Sequence, residues 1–534
     1  MKEPPQEGFF PQKLPIDLQE FETIREEGFL YVDKTAYLSR MLERGRYYFL
    51  SRPRRFGKSL TVSTLRCLFE NRRPLFDGLW ICENGRWDWA EYPIILFDFN
   101  TLSHDTPDHF RLDLERSLIR TAAKFGIHLE EPLLKGKFTE LILALKKQTG
   151  RSVVVLIDEY DKPVIDHLGL GNDRLETART NRDILKNFLG VLKGADVVRH
   201  IRFVFITGVS KFSRVSIFSE LNNLVDITMD RDYAGLLGYT REELDRYFQA
   251  HIADLAGVSG MSAPDAAQAL QSHYDGYRFS RKPIQVYNPF SVLRAFSHSE
   301  FGNYWFETGT PTFLVNLLRE QHYDLTAIEH LTVGETVFST YDLETLSPEA
   351  LLFQTGYVTI QDVEGDIFTL GYPNREVRCA FLKQLMYSFT RHLDGSRQSA
   401  FLLLARFLGN EDIHAFFDTV KSIFATISYT LTTERNEAYF HTLFYLMVSA
   451  SGMNVRSEIL TNRGRIDLVV EFEDKVYIME FKCDQSAQAG LDQIRRKGYA
   501  EMFRGTGKKR ILMGIHFSSH DRNIAEWKIE SEGE

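Results

Sequence analysis

From Tyr47 to about Asp226, short and nearly continuous apolar runs alternate with longer stretches of helical period. That is the pattern of a parallel sheet whose strands are buried on both faces under helices. It predicts strands over Tyr47–Ser51, Pro93–Asn100, Val153–Asp158 and Ile201–Thr207, with a fifth near Leu224–Thr228. From about Arg231 to Arg391 the pattern becomes mainly helical, with aromatic residues at Tyr274, Tyr277, Phe279, Tyr304, Trp305 and Phe306 and turn signals such as Asn288-Pro289, and it reads as a lid and connecting region. Helical periods over Gln398–Leu408 and Asp412–Ser428 lead into a last segment of different order. There a helix, Glu437–Ala450, precedes paired strands and a further helix. The expected division is 1–230, 231–395 and 396–534.

The first chemistry lies in YYFLSRPRRFGKSLTVSTLRCLF, which reads as strand, loop and helix with Gly57-Lys58-Ser59 at the helix start. Phosphate binding needs this arrangement, because free N–H groups and the positive end of the helix dipole face the anion. Gly57 lets the backbone approach, Lys58 reaches terminal phosphates and Ser59 ligates Mg²⁺, so Arg55, Phe56, Gly57, Lys58, Ser59 and Leu60 form the expected nucleotide loop. The first glycine of the usual loop would fall at position 52, which is Arg52. Either Arg52, Arg54 and Arg55 supply phosphate contacts themselves, or they act toward a neighbouring subunit. The second half of the motif is VVVLIDEYD, a buried strand ending in Asp158-Glu159. Asp158 is placed to hold Mg²⁺ and Glu159 to polarise an attacking water, while Thr207 and Ser210, at the end of FVFITGVSK, stand where a γ-phosphate is sensed. Slow hydrolysis by a nucleotide-binding domain is the competing reading.

The second lies in GRIDLVVEFEDKVYIMEFK. Ile466–Phe472 and Lys475–Lys482 read as strands around a Glu473-Asp474 turn, and that register sets Asp467 opposite Glu480, with Lys482 on the same face and Phe481 turned to the core. Two carboxylates on one sheet face suit Mg²⁺ or Mn²⁺, and a neighbouring ammonium steadies a charged transition state, which is what phosphodiester hydrolysis requires. Glu437 either approaches that metal or simply favours its helix N-terminus. Gln493 is a further candidate support. Arg495, Arg496 and Lys497, with Arg456, Arg463, Arg465, Lys508, Lys509 and Arg510, either track a phosphate backbone or form a solvated face.

Bulk properties narrow the field. A chain of 534 residues exceeds one core. The net charge of −9 excludes a global positive field, so any nucleic-acid surface is regional. Cys67, Cys82, Cys379 and Cys483 have no zinc spacing. The first residues lack a signal-peptide pattern and no apolar run spans a bilayer, so a cytoplasmic protein without membrane association is expected.

SRPRRFGKSL, VLIDEYDKP, FITGVSKFS, YDGYRF, YNPFS and GRIDLVV…IMEFK…QIRRKGYAE resemble bacterial AAA-ATPase-like proteins joined to a PD-(D/E)XK nuclease domain, over nearly the whole chain. The resemblance implies a phosphate-loop ATPase fold followed by a restriction-endonuclease-like α/β domain. It implies that Asp467, Glu480 and Lys482 are the nuclease motif, and it makes the arginine-rich loop typical of the group. Related nucleases often carry Gln-x-x-x-Tyr on the next helix, whereas here Lys497 takes the fourth position and Tyr499 comes two later. The expected activity is ATP-controlled, Mg²⁺- or Mn²⁺-dependent cleavage of DNA, with RNA left open. The alternative is an ATPase switch whose nuclease fold binds nucleic acid without cutting. By analogy alone, defence against foreign DNA and homo-oligomer assembly are further expectations.

Overall fold

A computed structural model of the chain describes residues 11–211, 221, 223–305, 314–315, 317–318, 323, 325–338, 347–389, 403–425 and 437–532. Phe306 and the expected helical residues 398–402 and 426–428 lie outside them. The chain divides into two compact units, one formed by residues 1–308, 312–314 and 330–376, the other by 309–311, 315–329 and 377–534.

In the first unit, β1 (Tyr47–Ser51), β2 (Ile94–Asp98), β3 (Val153–Asp158), β4 (Ile201–Gly208) and β5 (Val225–Asp226) form one sheet in the order β2-β3-β4-β1-β5. All its pairings are parallel. Every residue of β3 is buried, as its unbroken Val-Val-Val-Leu-Ile run requires. Helices Pro107–Lys124, Leu134–Thr149 and Asn172–Leu189 follow the strands they cover. Phe97, Phe138 and Phe188 meet between sheet and helices, with Phe138 stacked on Phe188 at 4.7 Å. Two strands are shorter than their apolar runs suggest. β2 stops at Asp98 because its carboxylate caps a 3-10 turn by accepting the Asn100 N–H, and β5 is only Val225–Asp226.

The stretch after β5 is helical as expected, with Gln249–Ser259, Ala263–Tyr274 and Pro289–His298 packed around Phe248, Leu255, Leu270 and Tyr287. It also contains strands that the helical reading did not foresee. β6 (Tyr277–Arg278) and β7 (Gln285–Val286) form a short antiparallel pair. β8 (Leu331–Gly334), β9 (Thr359–Glu364) and β10 (Ile367–Gly371) form a three-stranded antiparallel sheet. The β9–β10 turn carries Gly365 at φ 60°, a conformation that favours glycine.

The second unit contains a five-stranded sheet in sequence order, β11 (Asn454–Thr461), β12 (Gly464–Glu471), β13 (Lys475–Cys483), β14 (Lys509–Ser518) and β15 (Asn523–Glu532). Only β13 and β14 are parallel, and the helix Ala487–Lys497 makes the crossover between them. That helix lies unusually close to the sheet. A Cβ on Gly514 would stand 1.9 Å from Ala487 O, so only a glycine permits the contact.

Candidate active sites

β1 delivers the chain into a loop that turns through Gly57, at φ 96°, into the helix Lys58–Phe69. Lys58 is buried, and its Nζ donates to Arg52 O and Pro53 O, both at 3.2 Å, and stands 3.6 Å from Glu159 Oε1. Asp158, at the end of β3, is in register with Asp98 at the end of β2. Its Oδ1 accepts the Glu159 N–H at 3.0 Å. Burial pushes Asp158 up to about 6; a hydrogen bond from Ser59 opposes this, and the Glu159 carboxylate adds to it. Glu159 itself takes φ 50°, an uncommon conformation for a residue with a side chain.

These groups face a pocket of about 420 Å³, within the range of small-molecule sites. Arg55, Gly57, Lys58, Ser59, Leu60, Asp158 and Glu159 all line it, as does Arg54. Four expected residues, Arg52, Phe56, Thr207 and Ser210, do not; Arg52 is buried with its guanidinium turned inward to Ser51 O and Thr228 O. Phe56 is buried edge-on against Tyr277 at 4.8 Å and Phe279 at 5.5 Å. Thr207 is fully buried, and its Oγ1 donates to Leu50 O at 2.8 Å across the sheet. Ser210 is likewise spent inside the protein, donating through N at 2.6 Å and Oγ at 2.8 Å to Asp161 Oδ2.

The pocket also contains groups that the motifs alone did not single out. Asp98 lines it, and the signal was present, since IILFD repeats the apolar-run-then-aspartate pattern of VVVLID. Lys162 and Asp166 line it as an ion pair of 2.6 Å, with His104 Nε2 at 3.0 Å from the same carboxylate. Burial raises the Asp166 pKa, but hydrogen bonds from His104 and Lys162 outweigh it and hold the carboxyl at about 2. A further wall comes from Pro15, Asp17, Leu18 and Gln19 and from Pro289, Phe290 and Leu293. There Asp17 pairs with Arg55 at 3.5 Å and Arg294 at 2.5 Å, and Arg55 lies over the Phe290 ring at 4.7 Å.

In the second unit the hairpin forms as its spacing predicted. Leu468 pairs with Met479 and Glu471 with Val476 around the Glu473-Asp474 turn. The ladder stops one step before Asp467 and Glu480, and there Asp467 Oδ2 accepts the Phe481 N–H at 2.8 Å. Glu480 is buried, its Oε1 is 3.5 Å from Lys482 Nζ, and its Oε2 has no partner. Burial raises the pKa of both Asp467 and Glu480, and the Asp467 carboxylate raises that of Glu480 further. Lys482 Nζ also donates to Phe481 O at 2.6 Å.

Both candidate supports reach this cluster. Gln493 Nε2 donates to Glu480 Oε1, because the Gly490–Gly514 contact seats its helix directly on β13 and β14. Glu437 Oε1 is 3.9 Å from Lys482 Nζ and its Oε2 accepts the Cys483 N–H at 3.3 Å. Gly498, the single residue between Lys497 and Tyr499, ends the helix at φ 63°, after which Tyr499 turns back to donate to Arg465 O at 2.9 Å. His441 carries no motif signal in the sequence; its Nε2 lies 2.9 Å from Asp467 O and its Nδ1 3.1 Å from Glu458 Oε1. Most of the basic residues are held by acidic neighbours, as Arg456 and Lys508 are by Glu471 at 3.2 and 2.8 Å, and Lys509 by Glu411 at 2.6 Å.

Among the described residues no three His, Cys, Asp or Glu side chains already form a metal-ligating group. The oxygens nonetheless fit a hard cation at both sites. At one they are Ser59 and the buried Asp158 at the mouth of a phosphate loop, and at the other Asp467 and the unpartnered Glu480 Oε2.

The motif residues of each of the two sites fall within the range matched by a known family. A family model described as a predicted AAA-ATPase matches residues 15–218, and one for the PD-(D/E)XK nuclease superfamily matches residues 435–527. The chain is also 38% identical over 535 residues, covering 98% of its own length and 99% of the relative, to the "Uncharacterized protein in vnfD 5'region" of Azotobacter chroococcum mcd 1. The chain therefore belongs to the family of predicted AAA-ATPase proteins that carry a C-terminal PD-(D/E)XK nuclease superfamily domain.

Proposed function

We propose that the protein binds and hydrolyses ATP and is a divalent-metal-dependent nuclease that cuts phosphodiester bonds in DNA. The observation that carries the nuclease reading is Glu480 Oε2, a buried carboxylate oxygen without a partner beside Asp467 and Lys482. Such an oxygen is costly to leave unsatisfied, and a hard cation satisfies it. In this reading Asp467 and Glu480 hold Mg²⁺ or Mn²⁺, which when bound makes water a better nucleophile and offsets the charge of the scissile phosphate. Lys482 orients the attacking water and stabilises developing charge, Gln493 keeps Glu480 in place, and Glu437 keeps Lys482 turned toward the site. The exposed ion pairs of Arg456 and Lys509 are weak, so a phosphate backbone competes for their basic members.

At the nucleotide site, Lys58 takes the terminal phosphates, Arg54 and Arg55 the outer phosphate oxygens, and Ser59 with Asp158 the Mg²⁺. Lys58 then leaves Glu159, whose carboxylate becomes available to orient the attacking water. We assign the nucleotide module to residues 1–230, the connecting region to 231–395 and the nuclease module to 396–534. Cytoplasmic action against foreign DNA, by an assembly of several copies, is the biological role we attach to this chemistry. The chemical test is cleavage of single- and double-stranded DNA and RNA with Mg²⁺ or Mn²⁺, with and without ATP. Cutting of RNA alone, or binding without cutting, rejects the DNA-nuclease reading. Phage challenge of expressing cells tests the role: wild type protects, Lys58→Ala and Glu480→Ala do not, and equal protection by all three rejects it.

A further inference from the structure

The phosphate loop carries an arginine where such loops ordinarily have their first glycine, and the side chain of that arginine does not line the nucleotide pocket. Arg52 is 1% exposed. Its N–H donates to Gly208 O at 3.1 Å, at the end of β4, and its carbonyl accepts from Lys58 Nζ at 3.2 Å. The guanidinium runs inward: Nη1 donates to Ser51 O at 2.9 Å and Thr228 O at 2.6 Å, and the group lies 4.2 Å over the Phe279 ring. Nε and Nη2 are buried without hydrogen-bond partners. Taking a guanidinium out of water on these terms is unfavourable, and burial lowers its pKa to about 9, with Asp226 opposing the shift only in part. A residue needed only to fill space would be apolar.

The neighbouring loop positions are held from the same side of the chain. A Cβ on Gly356 would stand 2.7 Å from Pro53, so that backbone sits directly against the proline ring. Trp305 Nε1 donates to Arg54 O at 3.1 Å. Phe56 is clasped by Tyr277 and Phe279. YDGYRF, a motif the catalytic groups leave unexplained, thus supplies the rings against which the loop rests.

From this geometry we infer that Arg52 is a positioning residue for the phosphate loop: it replaces the glycine's self-supporting turn with an external tie to Thr228 and Phe279, and so sets the place of Lys58 and of the loop backbone that receives phosphate. The inference rests on the reading of this pocket as a nucleotide site. A glycine at 52 would match the common motif more closely, yet here it removes the tie.

The test uses the full chain as wild type, Arg52→Gly, Arg52→Lys, Phe279→Leu and Lys58→Ala. Affinity for a fluorescent ATP analogue with Mg²⁺, competition by inorganic tripolyphosphate, and thermal unfolding are measured on each. Arg52→Gly is expected to weaken both ligands by about tenfold or more, the scale on which small displacements of binding groups act. Arg52→Lys, which keeps a charge but loses the planar stack, and Phe279→Leu, which keeps bulk but loses the ring, weaken both ligands by smaller factors. An arginine with a merely structural role would lower the melting temperature of these two variants and leave tripolyphosphate affinity unchanged, and that result overturns the inference even where Arg52→Gly does not fold. Equal binding by wild type and Arg52→Gly overturns it as well. Absence of nucleotide binding in the wild type overturns the nucleotide reading itself, and the role of Arg52 with it.

Discussion

Asp467 Oδ2 accepts the backbone N–H of Phe481 at 2.8 Å, so the first motif carboxylate is fixed by the strand that carries the second. Asn at 467 keeps an acceptor for that N–H and loses the charge. Asp467→Asn is therefore expected to fold with a melting temperature close to wild type and to lose metal-dependent cleavage by about a hundredfold or more, the scale on which a metal-site carboxylate acts. Calorimetry and a cleavage time course on one preparation check both halves.

Lys58 and Glu159 stand 3.6 Å apart, and the side chain of Lys58 is almost wholly buried. Lys58→Ala leaves the carboxylate without its cation and the pocket without its central positive charge. ATP affinity is expected to fall by about tenfold or more, given that a charge-assisted hydrogen bond contributes roughly 1.5–3 kcal/mol. Titration calorimetry with Mg²⁺ and ATP measures this directly. Unchanged affinity would remove Lys58 from the phosphate site.

Gly514 leaves no room for a side chain beneath the crossover helix, since its Cβ would meet Ala487 O at 1.9 Å. Gly514→Ala should lift that helix and draw Gln493 away from Glu480. The expected loss of stability is about 1–3 kcal/mol, as for overpacking in a filled interior. Chemical denaturation measures that loss, and a cleavage assay of the folded fraction should show activity falling with it.

Asp275 is 5% exposed, and its Oδ1 has no hydrogen-bond partner. Burial raises its pKa from 3.8 to about 6, which the Gly276 N–H and Arg241 offset only in part. The folded state therefore holds a proton at this site more tightly than the unfolded one. Stability from this group rises as pH falls from about 6 toward 3.8 and is absent at neutral pH and above. Asp275→Asn should gain on the order of 3 kcal/mol over wild type above pH 7, from two pKa units at 1.36 kcal/mol each, and the gain should vanish near pH 4. Denaturant titrations at the two pH values check the sign. A variant equally destabilised at both would contradict it.

The parts legible in the sequence were those governed by local rules. The β3 strand followed from an apolar run ending in Asp158, and the hairpin register followed from the two-residue turn at Glu473-Asp474, which sets Asp467 toward Glu480. Long-range packing was not legible. Nothing local in Phe56 or Thr207 says that one is clasped by Tyr277 and Phe279 and the other bonded to Leu50 O across the sheet. Likewise the helical reading of the connecting region misses β8, whose pairing with β10 joins residues as distant as Leu331 and Leu370, and also the local β9–β10 hairpin, although TIQDVEGDIFTLG carries a Glu-Gly turn between two strand-like runs. The pocket wall from Asp17, Leu18 and Phe290 is assembled from segments more than two hundred residues apart, beyond the reach of any motif.

The most direct measurement of both chemistries is cleavage of labelled DNA by the purified full chain in Mg²⁺ or Mn²⁺, with and without ATP, for wild type, Asp467→Asn and Lys58→Ala. Metal-dependent products are expected from wild type, none from Asp467→Asn, and cleavage by Lys58→Ala that no longer responds to ATP. Products from Asp467→Asn at the wild-type rate, or none from wild type under any metal and nucleotide condition, would contradict the proposed function.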